Sequence, residues 1–301
     1  MAEPGVVRPL AGVAWMLASG VSFVAVNGIV YALGTGLPAA QSAFLRFGWS
    51  LLFTLPLLVR LTRAQFPPGA MVLFAGRGAV HTVAVILWFY AMARLPVAEV
   101  TAIGYLNPVA VTLGAALIFG EVLAWRRVLA IGAALAGALI VLRPGMRELG
   151  AGQMAQVGAA VFFAASYLFT KRISRFADAG VIVAVLSLTV PLGLLPLAIA
   201  VWVPVTLPEV LWLAVVAVAA TSGHYCMTRA FLVAPLTVTQ PVTFLQLVWA
   251  SLLGVLAFDE GIDPWVLVGG AVIIAAISWM TWAEARAAKR AEAPVSGGPE
   301  G

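Results

Sequence analysis

Five residues able to do chemistry sit in otherwise apolar sequence: Arg46, Arg77, His81, Glu99 and His224. A guanidinium can hold a carboxylate, an imidazole can donate or accept a hydrogen bond, and a buried carboxylate can cap, gate or pair. Arg77, His81 and Trp88 follow at steps of four and seven, which puts them on one stripe of a helix. A charge at mid-span costs about 2.5–3.5 kcal/mol on insertion scales, so each one needs a reason. Arg46 lies too deep to snorkel, and two readings stand for it: a clamp on backbone carbonyls of neighbouring helices, or contact with a substrate carboxylate. Arg77 is close enough to one end of its run to snorkel. Glu99 falls in the first turn of its helix, where the dipole favours a carboxylate, and reads as a capping or gating group. Arg46, Arg77 and Glu99 are therefore grouped as structural or gating residues.

The hallmarks of catalysis are missing. There is no G-x-x-x-x-G-K-[ST] phosphate loop, no H-E-x-x-H helix and no pair of intramembrane aspartates. The single cysteine, Cys226, forms no intramolecular disulfide and no cysteine-based zinc site. The sequence thus implies no catalytic residue, no metal and no cofactor, and the chain reads as something other than an enzyme.

The elements that carry these residues are set by composition. Of 301 residues, 63% are apolar and 10% are charged, against roughly 25% charged in a soluble domain. A bilayer core needs about 20 apolar residues per helix. Ten such runs are read at residues 10–33, 38–59, 70–92, 96–119, 128–142, 153–170, 179–202, 210–228, 235–258 and 265–282. Period-two alternation is absent, which excludes an outer-membrane barrel. Short connections make consecutive helices antiparallel. Alternating those connections gathers Arg8, Arg60, Arg63, Arg126, Arg127, Lys171, Arg172, Arg175, Arg229, Arg286, Lys289 and Arg290 on one side. Arg94, Arg143 and Arg147 fall on the other, with Glu148, Glu209, Asp259, Glu260 and Asp263. The basic side should face the cytoplasm with both termini. Residues 1–9 form a cytoplasmic start, 143–152 an extracytoplasmic linker and 283–301 a disordered cytoplasmic tail. The basic residues flank helices, so topology explains them without nucleic acid.

Residues 10–142 and 153–282 resemble each other. Phe23 matches Phe163, Leu55-Pro56-Leu57 matches Leu195-Pro196-Leu197, Pro96 matches Pro235, and Glu121 matches Glu260. Five helices per repeat force the second copy to lie upside down, a construction typical of secondary transporters. The expected fold is an all-α integral membrane protein of ten transmembrane helices in two inverted five-helix repeats. The correspondence also outlines a pocket. Thr101 and Tyr105 match Gln240 and Phe244, and His224 aligns one turn from His81. Aromatic walls with few polar groups suit a small amphipathic molecule. Phe23, Trp88, Phe163 and Phe244 are candidate walls; His81, Thr101, Tyr105, His224, Gln240 and Thr243 are candidate polar contacts. Small residues at Gly132–Gly137 and Gly269–Ala271 allow close approach of the fifth and tenth helices, within one bundle or at a dimer seam.

The stretch Phe89-Tyr90-Ala91-Met92-Ala93-Arg94-Leu95-Pro96, then Asn107-Pro108 and Phe119-Gly120-Glu121, resembles the repeat motif of the EamA-type drug/metabolite transporter superfamily. The second copy reads Arg229-Ala230-Phe231-Leu232-Val233-Ala234-Pro235, then Phe258-Asp259-Glu260, and Ala43-Phe44-Leu45-Arg46-Phe47 is similar to the family's second-helix arginine motif. It departs from the pattern at Leu247 and Leu186, where the first repeat has Pro108 and Arg46. The resemblance implies ten helices and export of small metabolites, as in bacterial aromatic-amino-acid exporters. The expected activity is export of aromatic and other neutral amino acids across a bacterial inner membrane by a monomer. Cationic drugs, other metabolites and a channel are the alternatives. A channel would need rings of like charge along a pore, and none is evident.

A reporter enzyme that works only outside the cytoplasm, fused after Trp282, should be inactive. An active fusion overturns the orientation.

Overall fold

Prolines and glycines punctuate the apolar runs, and Gly34, Gly69 and Pro96 stand at helix ends, while Pro56, Pro191 and Pro196 lie inside helices. The computed structural model describes residues 9–61, 66–119, 125–143, 148–173, 175–177, 179–233, 242 and 245–292. The helices are α1 (Pro9–Leu33), α2 (Ala39–Leu61), α3 (Ala70–Met92), α4 (Val97–Gly104), α5 (Leu106–Phe119), α6 (Trp125–Leu142), α7 (Ala151–Ile173), α8 (Ala179–Ala200), α9 (Leu207–Val233), α10 (Gln246–Phe258) and α11 (Pro264–Glu292). No strand occurs among the described residues. Gly34 ends α1 at φ 65°, and its N–H reaches Val30 O (3.2 Å) and Tyr31 O (3.0 Å). A left-handed residue there satisfies carbonyls that the helix end would leave open.

Among the described residues, six helical segments are long and apolar enough to cross a bilayer: Leu10–Leu33, Ala70–Met92, Val97–Ile118, Ala151–Thr170, Val181–Ala200 and Leu207–Met227. Shorter apolar helices cover Val128–Leu142, Gln246–Phe258 and Pro264–Met280. The fourth expected run is two helices, α4 and α5, broken at Tyr105. Pro108 has no N–H to offer the carbonyl of Gly104 four residues before it, so the first helix stops there. Most of 234–244 lies outside the described residues, and with it Gln240, Thr243 and Phe244. The last helix was expected to end at Trp282, with a disordered tail from 283. Instead α11 continues to Glu292, through an Ala-, Arg- and Lys-rich stretch of strong helix formers.

Helix pairing follows a two-fold exchange of the halves. α1 packs along α9 as α7 packs along α3, while α2 pairs with α8 and α6 with α11. The lesser contacts obey the same rule: α3 with α8 mirrors α2 with α9, and α5 with α7 mirrors α1 with α10. Two repeats related by a two-fold produce this pattern, since each contact between the halves recurs with the roles exchanged.

In lipid the helices gain little from apolar burial, so close contact and hydrogen bonds hold them. A Cβ on Gly137 would lie 2.7 Å from Gly269 O, and one on Gly269 would lie 2.5 Å from Gly137 O. The small-residue stripes of α6 and α11 therefore face each other within the chain. Gln41 in α2, fully buried, ties down the α8–α9 connection. Its Nε2 donates to Val203 O (2.8 Å), and its Oε1 accepts from the Val203 N–H (3.0 Å).

Gly137→Leu and Gly269→Leu should each cost about 1–3 kcal/mol through overpacking and lower the melting temperature in detergent. Gly132→Leu, where a Cβ meets nothing within 4 Å, should not. Equal melting temperatures for all three would contradict the α6–α11 contact.

Candidate functional site

α1, α2, α3, α7 and α9 converge on a group of aromatic and cationic side chains near the middle of their lengths. Phe163 of α7 meets the His81 ring edge-on at 5.2 Å and the Trp88 ring at 5.7 Å. His81 also meets Phe47 of α2 at 6.2 Å, and its Nδ1 hydrogen-bonds Ser166 Oγ at 3.0 Å. Across the two-fold exchange, Phe23 of α1 meets His224 of α9 at 5.0 Å with an interplanar angle of 81°. The two histidine–phenylalanine contacts are thus counterparts, α3 on α7 and α9 on α1.

The charge in this group is all of one sign. Arg46 and Arg77 both lie within electrostatic reach of both histidines. Arg77 donates through Nη1 to Ile182 O of α8 (2.9 Å), which closes a clamp between helices. Tyr167, next to Ser166 and within reach of Arg77, is exposed, and so is His224. Arg46 lies over the Phe47 ring, its Cζ 4.1 Å from the centroid. Its guanidinium meets no backbone carbonyl among the described residues, in contrast to the clamp considered for it.

The remaining candidates lie elsewhere. Thr101 donates to Val97 O (2.8 Å) and accepts from Asn27 Nδ2 of α1 (3.4 Å). Tyr105 is buried and hydrogen-bonds the backbone of Leu247 in α10. Glu99 is buried at the acidic end of the bundle, where Gln153 Nε2 of α7 donates to it (3.1 Å). A cavity of about 50 Å³ opens there beside Glu99, Ser251, Glu260 and Asp263, room for a water or two. Three ties brace this end: Gln153 to Glu99, Arg143 to Asp263, and Glu260 to both the Tyr31 hydroxyl and the Val97 N–H. Burial and the nearby Glu99 push the Glu260 carboxyl up, while the Tyr31 and Val97 hydrogen bonds oppose the rise.

Ser166 and Tyr167 were not singled out from sequence. Their signal is spacing, since Ser166 follows Phe163 by three residues on the same helix face. Phe47 was visible only as part of the arginine motif.

A sequence model of the EamA-like transporter family matches residues 10–143 and again 150–282. The chain is 30% identical to a protein named riboflavin transporter from Rhizobium johnstonii, over 89% of this chain and 90% of that one. It is 25% identical to an S-adenosylmethionine uptake transporter of Rickettsia bellii, over 92% and 95% of the two chains. It is 26% identical to the pseudopaline exporter CntI of Pseudomonas aeruginosa, over 88% and 94%. A solved structure shares the fold with TM-score 0.58 at 20% identity, covering 94% of this chain and 98% of the other.

A carboxyl raised by folding is most compatible with the native state when protonated, so its contribution is greatest below its ordinary value of 4.5. As pH rises through the raised value, the wild type should lose thermal stability relative to Glu260→Gln. A difference in melting temperature that stays constant from pH 4 to pH 8 would contradict this.

Proposed function

The chain belongs to the EamA-like transporter family, and from that premise we propose that it is a secondary carrier for small amphipathic metabolites with an aromatic face. Aromatic and other neutral amino acids are the cargo class we favour, exported by alternating access across a bacterial inner membrane with both termini cytoplasmic. The observation that carries this reading is the pair of counterpart contacts, His81 with Phe163 and His224 with Phe23, each joining one half to the other. Similar half-sites from two inverted repeats give a cargo comparable surroundings whichever half moves. Trp88 and Phe47 extend the aromatic wall, and rings offer both apolar area and edge contacts to a planar cargo. We group His81, Trp88, Phe23, Phe163 and His224 as the cargo site, with Thr101 and Tyr105 supporting α4 beside it.

The charge favours some cargoes over others. No Asp or Glu falls in the middle of any apolar run, so a permanent cation would find no counter-charge at mid-membrane. A flavin is a second reading. Its rings suit the same walls, and the relative from Rhizobium johnstonii is named a riboflavin transporter.

Counterflow in proteoliposomes tests both. Saturable counterflow of phenylalanine, inhibited by tryptophan, is the expected result. His81→Ala and Phe163→Ala should slow it at least several-fold at equal protein levels. Variants that match wild type would misplace the site. Riboflavin counterflow without amino-acid transport would replace the cargo and keep the carrier.

A further inference from the structure

We propose that Arg46 is the anion-binding group of the cargo site, and that it receives the carboxylate of a carboxylate-bearing cargo. This rests on the carrier reading and names the end of the cargo that the aromatic walls leave unassigned. Arg46 is 7% exposed, and Arg77 is buried to the same degree. They differ in their partners. The Nε is unmatched in both, but Arg77 donates through Nη1 to Ile182 O, whereas Arg46 has neither an acceptor nor an acidic partner among the described residues. The other arginines whose hydrogen bonds are described also have acceptors: Arg143 pairs with Asp263, and Arg94 donates to Tyr90 O.

A guanidinium buried to this degree, with its Nε unmatched and no acceptor on the rest of the fork among the described residues, is an expensive arrangement. Along the chain the nearest acidic residues are Glu3 and Glu99, and Glu99 is engaged at the acidic end by Gln153. What Arg46 does have is support. It rests on the Phe47 ring, and that ring abuts His81, which abuts Phe163. The planar fork is thus held beside the aromatic wall. An anion seated on it would place an attached ring against His81 and Phe163. A carboxylate matches the fork in shape and charge and accepts two parallel hydrogen bonds. Arg77, within electrostatic reach of the same histidines, adds positive potential at the same place.

The counterpart of Arg46 in the second repeat is Leu186. One half of the molecule therefore carries the anion site, while the two histidine–phenylalanine walls are each built from both halves. A cargo with one carboxylate and one ring would bind in a single orientation.

The test uses 3-phenylpropionate and its uncharged isostere 3-phenylpropionamide as probes of the purified full chain. The carboxylate should raise the melting temperature in a saturable manner, and the amide should not. Arg46→Gln should weaken the carboxylate response about tenfold or more, while Arg46→Lys retains part of it. Equal responses to the two probes, or a carboxylate preference that survives in Arg46→Gln, overturns the proposal. Should Arg46→Gln fail to fold, phenylglyoxal labelling of wild-type Arg46, read by mass spectrometry, decides instead. Protection by the carboxylate alone supports the site, and equal labelling with either probe overturns it. Counterflow run in parallel separates the two readings. Transport without carboxylate preference removes the anion site and leaves the carrier, whereas carboxylate binding without any transport removes the carrier and leaves the site.

Discussion

Inside a bilayer, every polar group must find its partner within the chain, and most of this structure follows from that requirement. Thr82 donates to Gly78 O and Thr101 to Val97 O within their own helices. Longer side chains reach across helix crossings: Asn107 donates to Ala160 O, Gln156 to Val100 O and Arg77 to Ile182 O. Each bond of the second kind joins two helices that apolar packing alone would let slide, because lipid competes equally for apolar surface. The polar residues are therefore the pins of the frame. Arg46 differs from Arg77 in that no acceptor meets any part of its guanidinium among the described residues.

How much of this could be read from sequence depends on how far apart the partners lie. The match of Phe23 with Phe163 and the near-match of His81 with His224 needed only a constant offset between repeats. The structure adds that each histidine abuts the phenylalanine of the other repeat, a pairing across 82 and 201 residues that no local pattern encodes. The stripe around Gly137 announced a close contact, but its partner could equally have been a second chain until Gly269 was found against it. The break at Tyr105 was signalled by Asn107-Pro108, yet hydropathy runs straight through it. Arg46 shows the limit most clearly. Whether a carbonyl of another helix waits at the end of a guanidinium is a question about helices remote in sequence, so depth in the span could not choose between clamp and cargo contact. Ser166 escaped notice because a small hydroxyl in an apolar helix reads equally well as packing.

Symmetry and its breach divide the work between the repeats. If both halves were chemically identical, a cargo could bind in either of two orientations related by the two-fold exchange. Each would have the same energy, and the site would select only for size and aromaticity. The walls obey the exchange. The cations do not: Arg46 and Arg77 are both in the first repeat, facing Leu186 and Val216 at the equivalent positions. In the proposed carrier, the paired walls keep cargo affinity similar as the halves exchange conformations, which a carrier needs if it is to release what it binds. The unpaired charge fixes which end of the cargo leads. Selectivity for cargo chemistry therefore has to come from the half that departs from the repeat, and substitutions there should change what is carried more than how the halves move.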